Sequence, residues 1–149
     1  MAEYVDICRV KMVKLQEKRL PYNCHLSAPS KVASLTRRIV DNDREEGLVF
    51  AMDTKNRPLG VRIVAVGETQ LCLLSPREAV KFVLLLNASS MIFAHNHPSG
   101  NPNPSREDMT WTRKIKSVCS ELNINFLDHV IVGAYSHYSF KEHDNGFPL

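Results

Sequence analysis

The sequence lacks the patterns that form disulfide frameworks and membrane spans. Its four cysteines, Cys8, Cys24, Cys72 and Cys119, are scattered and form no Cys-x-x-Cys pair. We therefore expect reduced thiols and not a disulfide framework or a cysteine-bound zinc. The chain also lacks a signal peptide, and its apolar runs are far shorter than a membrane span. These absences predict a soluble, cytoplasmic protein with no membrane partner.

The excess of positive charge is also small. A formal net charge of +3 permits contact with nucleic acid but supports it only weakly. Hydrophobic residues make up 44% of the chain and charged residues 23%, the balance of a folded globular protein. A length of 149 residues predicts one domain, 1–149, in which residues 1–28 form an N-terminal strand-like arm. No feature of the sequence indicates an oligomeric state.

Along the chain, segments with the apolar periodicity of a strand alternate with segments that have the periodicity of a helix. The pattern predicts helices that begin near Ser27, Ser75 and Ser105, and strands at 48–52, 58–66, 91–95, 126–132 and 135–140. The helix over 79–88 is apolar nearly all round, which predicts burial on every side. Strands that alternate with helices indicate an α/β fold, and its hairpins make the sheet mixed.

The most distinctive stretch runs from His95 to Asp108. His95 and His97 follow a short apolar run, and alternation along a strand points both imidazoles the same way, with Cα atoms roughly 6.6 Å apart. A loop rich in proline and glycine then leads to Ser105, a candidate helix N-cap that places Asp108 in the first helical turn. Two imidazoles, one carboxylate and one open position are typical of a catalytic zinc site.

A purely structural interpretation of the same residues stays open. Ser105 and Asp108 also suit a capping pair, because serine accepts from backbone N–H groups and an acid in the first turn favours the helix dipole. His95 and His97 can equally be polar residues at the mouth of a strand. The carboxylate within reach and the rigid loop between favour the ligand interpretation.

Several other metal-dependent enzyme classes are excluded because the chain lacks their motifs. The chain has no His-Glu-x-x-His, the motif of helix-borne zincin sites. It also has no His-x-Glu followed by Pro-Cys-x-x-Cys, which a zinc deaminase requires. The letters His95-Asn96-His97 do not indicate an HNH nuclease, whose three named residues are spread along a hairpin and a helix.

The stretch resembles a known family. The spacing His-x-His-x7-Ser-x2-Asp from His95 to Asp108 is similar to the signature of the JAB/MPN+ (JAMM) metalloprotease group, and its fuller text is similar to the RadC-like branch. Further matches are Asp53-Thr-Lys-Asn-Arg57, Pro76-Arg-Glu-Ala79 leading to Leu86-Asn-Ala88, and Leu-Asp-His-Val-Ile-Val-Gly at 127–133. The resemblance implies a single three-layer α/β domain, like the cytidine deaminase fold, with a mixed sheet flanked by helices.

The resemblance also implies roles for particular residues. His95, His97 and Asp108 would hold Zn2+, and a glutamate on an early strand would act as general base. Glu45 and Glu46 are the candidates here, and alignment on the Asp53 motif favours Glu45. Ser105 matches a serine whose hydroxyl can donate to the developing oxyanion, a role that competes with capping.

The implied function is a zinc-dependent hydrolase, a metallopeptidase or isopeptidase with an unidentified peptide or protein substrate. The alternative is a DNA-repair-associated or binding accessory module whose metal site is structural or vestigial. Longer RadC-like proteins carry an N-terminal helix-hairpin-helix module that binds DNA, and this chain is too short to include one, which weakens the DNA inference. His129 is expected to be structural or to support a ligand by an outer hydrogen bond.

Overall fold

Residues 25–67 and 75–143 are described by the computed structural model, and five strands and three helices lie among them. The elements in chain order are α1 (Pro29–Ile39), β1 (Glu46–Met52), β2 (Pro58–Val66), α2 (Pro76–Leu85), β3 (Ser90–Asn96), α3 (Arg106–Glu121), β4 (Asn125–Val132) and β5 (His137–Ser139). Each of the three predicted helices, and each of the five strands predicted between residues 48 and 140, has a counterpart here. Residues 1–24, which make up most of the predicted N-terminal arm, lie outside the described residues, as does Cys72.

The five strands form one mixed sheet in the order β2-β1-β3-β4-β5. The β3–β4 pair is parallel, and the other three pairs are antiparallel. A parallel pair needs a crossover connection, which α3 supplies. Helix α1 packs on one face of the sheet, whereas α2 and α3 pack on the other. The predicted mixed sheet flanked by helices is confirmed.

Alternation along the central strands divides the core into two clusters. In β1, Val49 and Ala51 pack with α2 and α3, whereas Leu48 and Phe50 pack with α1. Every residue of β1 and of β3 is buried, because both faces of these strands are covered. Odd-numbered residues of the two strands therefore lie on the α3 side, and this parity decides which way the site residues point.

The match at Asp53–Arg57 forms the turn between β1 and β2. Oδ1 of Asp53 accepts hydrogen bonds from the backbone N–H groups of Lys55 and Arg57 at 2.8 and 2.9 Å. The Arg57 guanidinium donates to Oδ2 at 2.7 Å. Asn56 has a φ of 56°, in the left-handed region that asparagine tolerates. This motif therefore stabilises a hairpin, away from the histidine pair.

Helix α2 is less buried than its sequence predicts. Ser75 caps it as expected, accepting a hydrogen bond from the Arg77 backbone N–H at 3.3 Å. Leu84 and Leu85, however, are 53% and 44% exposed. The prediction of burial on every side is wrong, because a helix packed on a sheet covers only the stripe that faces the sheet. None of the helices in the described residues is long and apolar enough to cross a bilayer.

Candidate metal centre

The two histidines lie at the end of β3, between β1 and β4. His95 pairs with Gly47 of β1 on one side and with Ile131 of β4 on the other. The His97 backbone N–H donates to the Val132 carbonyl at 2.9 Å, which holds the chain in register just beyond the strand. Both imidazoles consequently point to the α3 side, with His95 fully buried and His97 partly exposed.

Asp108 reaches the histidines from the first turn of α3. Ser105 is the N-cap, and its Oγ accepts from the Asp108 backbone N–H at 3.0 Å. In return, Oδ2 of Asp108 accepts from the Ser105 backbone N–H and hydroxyl, each at 2.7 Å. This is a capping box, so the capping interpretation of the sequence describes the geometry. It does not exclude the ligand interpretation, because Oδ1 lies towards His95.

Three side chains converge beside the cap. The Nε2 atoms of His95 and His97 are 2.9 Å apart. Asp108 places Oδ1 at 3.2 Å from the first of these nitrogens and Oδ2 at 3.5 Å from the second. Ligands about 2.0–2.2 Å from a tetrahedral zinc lie about 3.3 Å from one another. His95, His97 and Asp108 therefore form a candidate metal-binding group whose spacing fits a single zinc ion.

The hydrogen bond at Nδ1 of His97 determines the protonation of Nε2 in the same ring. Nδ1 of His97 lies 2.8 Å from the carbonyl oxygen of Asn101. A carbonyl can only accept, so Nδ1 carries the ring proton and the neutral imidazole presents a lone pair at Nε2. That lone pair faces Nε2 of His95 and the Asp108 carboxylate. Such a set of electron-pair donors is suited to a cation.

The charge states of the three groups also suit a metal. Burial raises the pKa of Asp108, but hydrogen bonds involving His95, His97 and Ser105 outweigh this effect and lower it, so Asp108 is a carboxylate. Burial lowers the pKa of His95 and keeps it neutral. Burial also lowers the pKa of His97, but Asp108 and the Asn101 carbonyl outweigh it and raise that pKa. A metal ion would therefore compete with a proton for Nε2 of His97.

Glu45 and Glu46 point to opposite faces of the sheet. Glu45 is partly buried, and burial raises its pKa to about 7, with His97 lowering the pKa and Asp108 raising it further. Glu46 is buried on the α1 side, where its Oε2 accepts from the Asp41 backbone N–H at 2.8 Å. The structure therefore places Glu45, and not Glu46, within electrostatic reach of the candidate metal group.

Two further residues of this region are absent from the sequence prediction. Asn96 points to the α1 side and hydrogen-bonds the backbone of Glu46 and Arg44. Its partner Glu46 lies 50 positions earlier in the chain, so no local pattern marks the contact. Thr112 lies 2.6 Å from the His129 ring and one helical turn after Asp108. That i, i+4 spacing from a proposed ligand is the signal that could have identified Thr112.

Comparison with known proteins identifies a family that covers most of the chain. The RadC-like JAB domain matches residues 26–146, which include every residue of the candidate metal group. The chain belongs to the RadC-like JAB domain family. The predicted family is thereby confirmed.

Relatives of this RadC-like JAB domain are known by name from several bacteria. A UPF0758 protein of Streptococcus uberis is 33% identical over 144 residues, covering 96% of this chain and 62% of the relative. One from Streptococcus agalactiae is 38% identical over 117 residues, covering 78% and 52%. One from Rubrobacter xylanophilus is 39% identical over 131 residues, covering 87% and 57%. The chain thus spans little more than half the length of these relatives.

The RadC-like match at 127–133 carries two different structural roles. Asp128 is buried and accepts hydrogen bonds from the Ser139 hydroxyl at 2.6 Å and the Lys141 backbone N–H at 3.1 Å, which ties down the end of β5. His129 points to the opposite face, where its Nε2 lies 2.9 Å from Nδ1 of His95. Adjacent residues of one motif therefore stabilise the sheet edge and contact the candidate metal group.

Proposed function

We propose that this RadC-like JAB domain is a zinc-dependent hydrolase that cleaves an amide bond in a peptide or protein. The observation that carries the proposal is the convergence of His95, His97 and Asp108 within 3.5 Å, with Glu45 interacting electrostatically with His97 and Asp108. Three protein ligands leave one position of a tetrahedral zinc for water or substrate, as in catalytic sites. Bound zinc would supply a coordinated water with a pKa towards about 7 and would polarise the scissile carbonyl.

Glu45 is the proposed general base. A base works best when its pKa lies near the operating pH, and burial raises the pKa of Glu45 to about 7. The carboxylate would take a proton from the attacking water and return it to the leaving amine. A positioned acid–base group of this kind contributes about 100- to 10,000-fold in rate.

Ser105 is the proposed donor to the substrate oxygen. Ser105 is an exposed residue, and its hydroxyl donates to Oδ2 of Asp108 and accepts from the Asp108 backbone N–H. A hydroxyl has one proton and two lone pairs, so the proton can turn to a substrate oxygen while the oxygen keeps accepting from the helix. Capping and catalysis are compatible in this arrangement. One such donor lowers the barrier by about 3–4 kcal/mol.

The competing proposal is a binding or DNA-associated module in which the metal has a structural or vestigial role. Such a module would use the same three ligands, but it would not need Glu45 as a general base. A partly buried carboxylate with a raised pKa is costly to ionise, and such groups cluster at functional sites. The net charge of +3 is weak support for a nucleic-acid partner. Glu45 is therefore the feature that favours the enzyme.

The proposal is tested first by the metal content of the purified full chain. We expect one zinc per chain in the wild type, loss of zinc in Asp108→Ala, and retention in Glu107→Ala. Glu107 is an exposed acid in the same helical turn and is the matched control. Equal zinc in wild type and Asp108→Ala would remove Asp108 from the site.

The chemistry is tested by cleavage of a peptide library with the zinc-loaded protein. We expect Glu45→Gln to keep its zinc and to cleave about 100- to 10,000-fold more slowly. Glu46→Gln, which changes the neighbouring carboxylate on the other face, should cleave like the wild type. If Glu45→Gln cleaves as fast as the wild type, Glu45 is not the base. Zinc binding without cleavage of any peptide would favour the accessory module.

A further inference from the structure

A buried row of three hydrogen bonds leads from the backbone of Asp108 to the ring of His95. Oγ1 of Thr112 lies 2.6 Å from the Asp108 backbone carbonyl oxygen and 2.6 Å from Nδ1 of His129. Nε2 of His129 lies 2.9 Å from Nδ1 of His95. All three side chains are at most 1% exposed, so bulk water does not compete for these contacts.

One order of protons satisfies all three contacts. The Asp108 carbonyl can only accept, so the Thr112 hydroxyl must donate to it. The Thr112 oxygen then accepts from His129, which places the ring proton of His129 on Nδ1. Neutral His129 is consequently an acceptor at Nε2, and the donor in the last contact is Nδ1 of His95.

We infer that Thr112 and His129 are positioning residues that hold the His95 proton on Nδ1 and so keep its Nε2 free to bind a metal. The reverse order would place a proton on Nε2, the atom that faces His97 and Asp108. The purpose of the row rests on the proposed zinc site, whereas the proton order rests on the hydrogen bonds alone. Outer hydrogen bonds to a ligating histidine commonly fix its tautomer in this way.

Aromatic contacts fix the orientation of the His129 ring. The ring stacks on Phe140 with centroids 4.8 Å apart and planes 8° apart. Phe93 and Trp111 meet it edge to face at 5.0 and 5.7 Å. A ring held on three sides cannot swing away from His95 without disturbing the core. The row also begins and ends at proposed ligands, so α3, β4 and β3 together set the geometry of the metal group.

Substitutions at Thr112 separate the hydroxyl from the packing. Thr112→Val removes the hydroxyl and keeps the shape, whereas Thr112→Ser keeps the hydroxyl and removes a methyl group. The exposed Thr110, on the same helix, gives the matched control Thr110→Val. We expect Thr112→Val to bind zinc about 10- to 100-fold more weakly than the wild type, as measured by competition with a chromophoric chelator. Thr112→Ser and Thr110→Val should bind zinc with near wild-type affinity. Equal weakening by Val and Ser, or none by Val, would overturn the inference.

The proton order is read directly from the imidazole nitrogens. Long-range 1H–15N spectra of histidine-labelled wild type, with and without zinc, should show His95 and His129 neutral with the proton on Nδ1. A proton on Nε2 of His129 contradicts the inference, whether or not zinc is bound. If the wild type binds no zinc, the proposed function fails while the zinc-free spectrum still decides the proton order. That spectrum also decides the question if Thr112→Val does not fold.

Discussion

The side-chain oxygen of Asn96 lies 2.8 Å from the backbone nitrogen of Glu46, and its side-chain nitrogen lies 2.9 Å from the backbone carbonyl oxygen of Arg44. One amide therefore holds the main chain on both sides of Glu45. Asn96 itself is buried and stands between the two proposed histidine ligands. It fixes the segment that carries the proposed base against the strand that carries the metal group.

Replacing Asn96 by alanine should loosen that segment. The buried N–H of Glu46 loses its acceptor, which typically costs about 1–3 kcal/mol in the free energy of unfolding. We expect kcat to fall while zinc content stays at the wild-type level, as measured by urea unfolding, peptide cleavage and metal analysis. Asn125→Ala, at the exposed start of β4, is the control for loss of an amide. An unchanged kcat in folded Asn96→Ala would show that Glu45 needs no such support.

The pH dependence of cleavage should report the ionisation of Glu45. Burial raises the pKa of this carboxyl to about 7, and only the deprotonated form can accept a proton from water. A bound dication favours the ionised form of Glu45 and so lowers its pKa. We therefore expect kcat/KM to fall as the pH drops through about 7 or somewhat below. The Glu45→Gln profile should lack this acid limb, whereas Glu46→Gln should keep it. An identical limb in Glu45→Gln would assign it to another group.

Two helix caps allow the catalytic and structural roles of Ser105 to be separated. Ser105 caps α3 beside the metal group, and Ser75 caps α2. Replacing either serine with alanine should destabilise the fold by about 1 kcal/mol, measured by urea unfolding. Only Ser105→Ala should also lower kcat, by about 100- to 1,000-fold, if its hydroxyl donates to the oxyanion. If Ser105→Ala and Ser75→Ala lower kcat by the same small factor, Ser105 only caps the helix and does not donate to the oxyanion.

Gly133 supports the loop that orients His97. A Cβ at Gly133 would collide with the backbone carbonyl of Gly100, whose loop also carries the Asn101 carbonyl that accepts from His97. We expect Gly133→Ala to shift this loop, to destabilise the fold by about 1–3 kcal/mol, and to weaken zinc binding about 10-fold or more. Urea unfolding and chelator competition measure the two effects.

The control for this glycine is Ser136→Ala, an exposed position in the same turn. It removes a side-chain hydroxyl and leaves the backbone hydrogen bond between Gly133 and Ser136 in place. Wild-type zinc affinity in Gly133→Ala would mean that the loop accommodates the methyl group without moving Asn101.

Much of this region could be predicted because its spacings are local. His95 and His97 are two residues apart on a strand, and Ser105 and Asp108 are three apart at a helix start, so strand and helix geometry determine their directions. The choice between Glu45 and Glu46 is also a matter of alternation, once the sheet shows which face carries α3. These are the parts of the site that depend on short-range geometry.

The remaining contacts depend on strand register, which no local pattern encodes. His129 lies behind His95 because β4 pairs with β3 so that Phe93 is opposite His129. That register includes an irregularity between Met91 and Ile92, which shifts the pairing of the residues that follow. The exposure of Leu84 is another global property, since composition alone does not tell which side of a helix a sheet will cover.

The parallel pairing of β3 with β4 has a consequence for folding order. A nascent chain that ends after α3 already contains Glu45, both histidines and Asp108, yet it lacks His129 and the strand that holds His97 in place. Such a truncated polypeptide would hold every proposed ligand without the scaffold that aligns them. We therefore expect tight zinc uptake to begin only after β4 has docked beside β3 and β5 beside β4, and not before the sheet has formed.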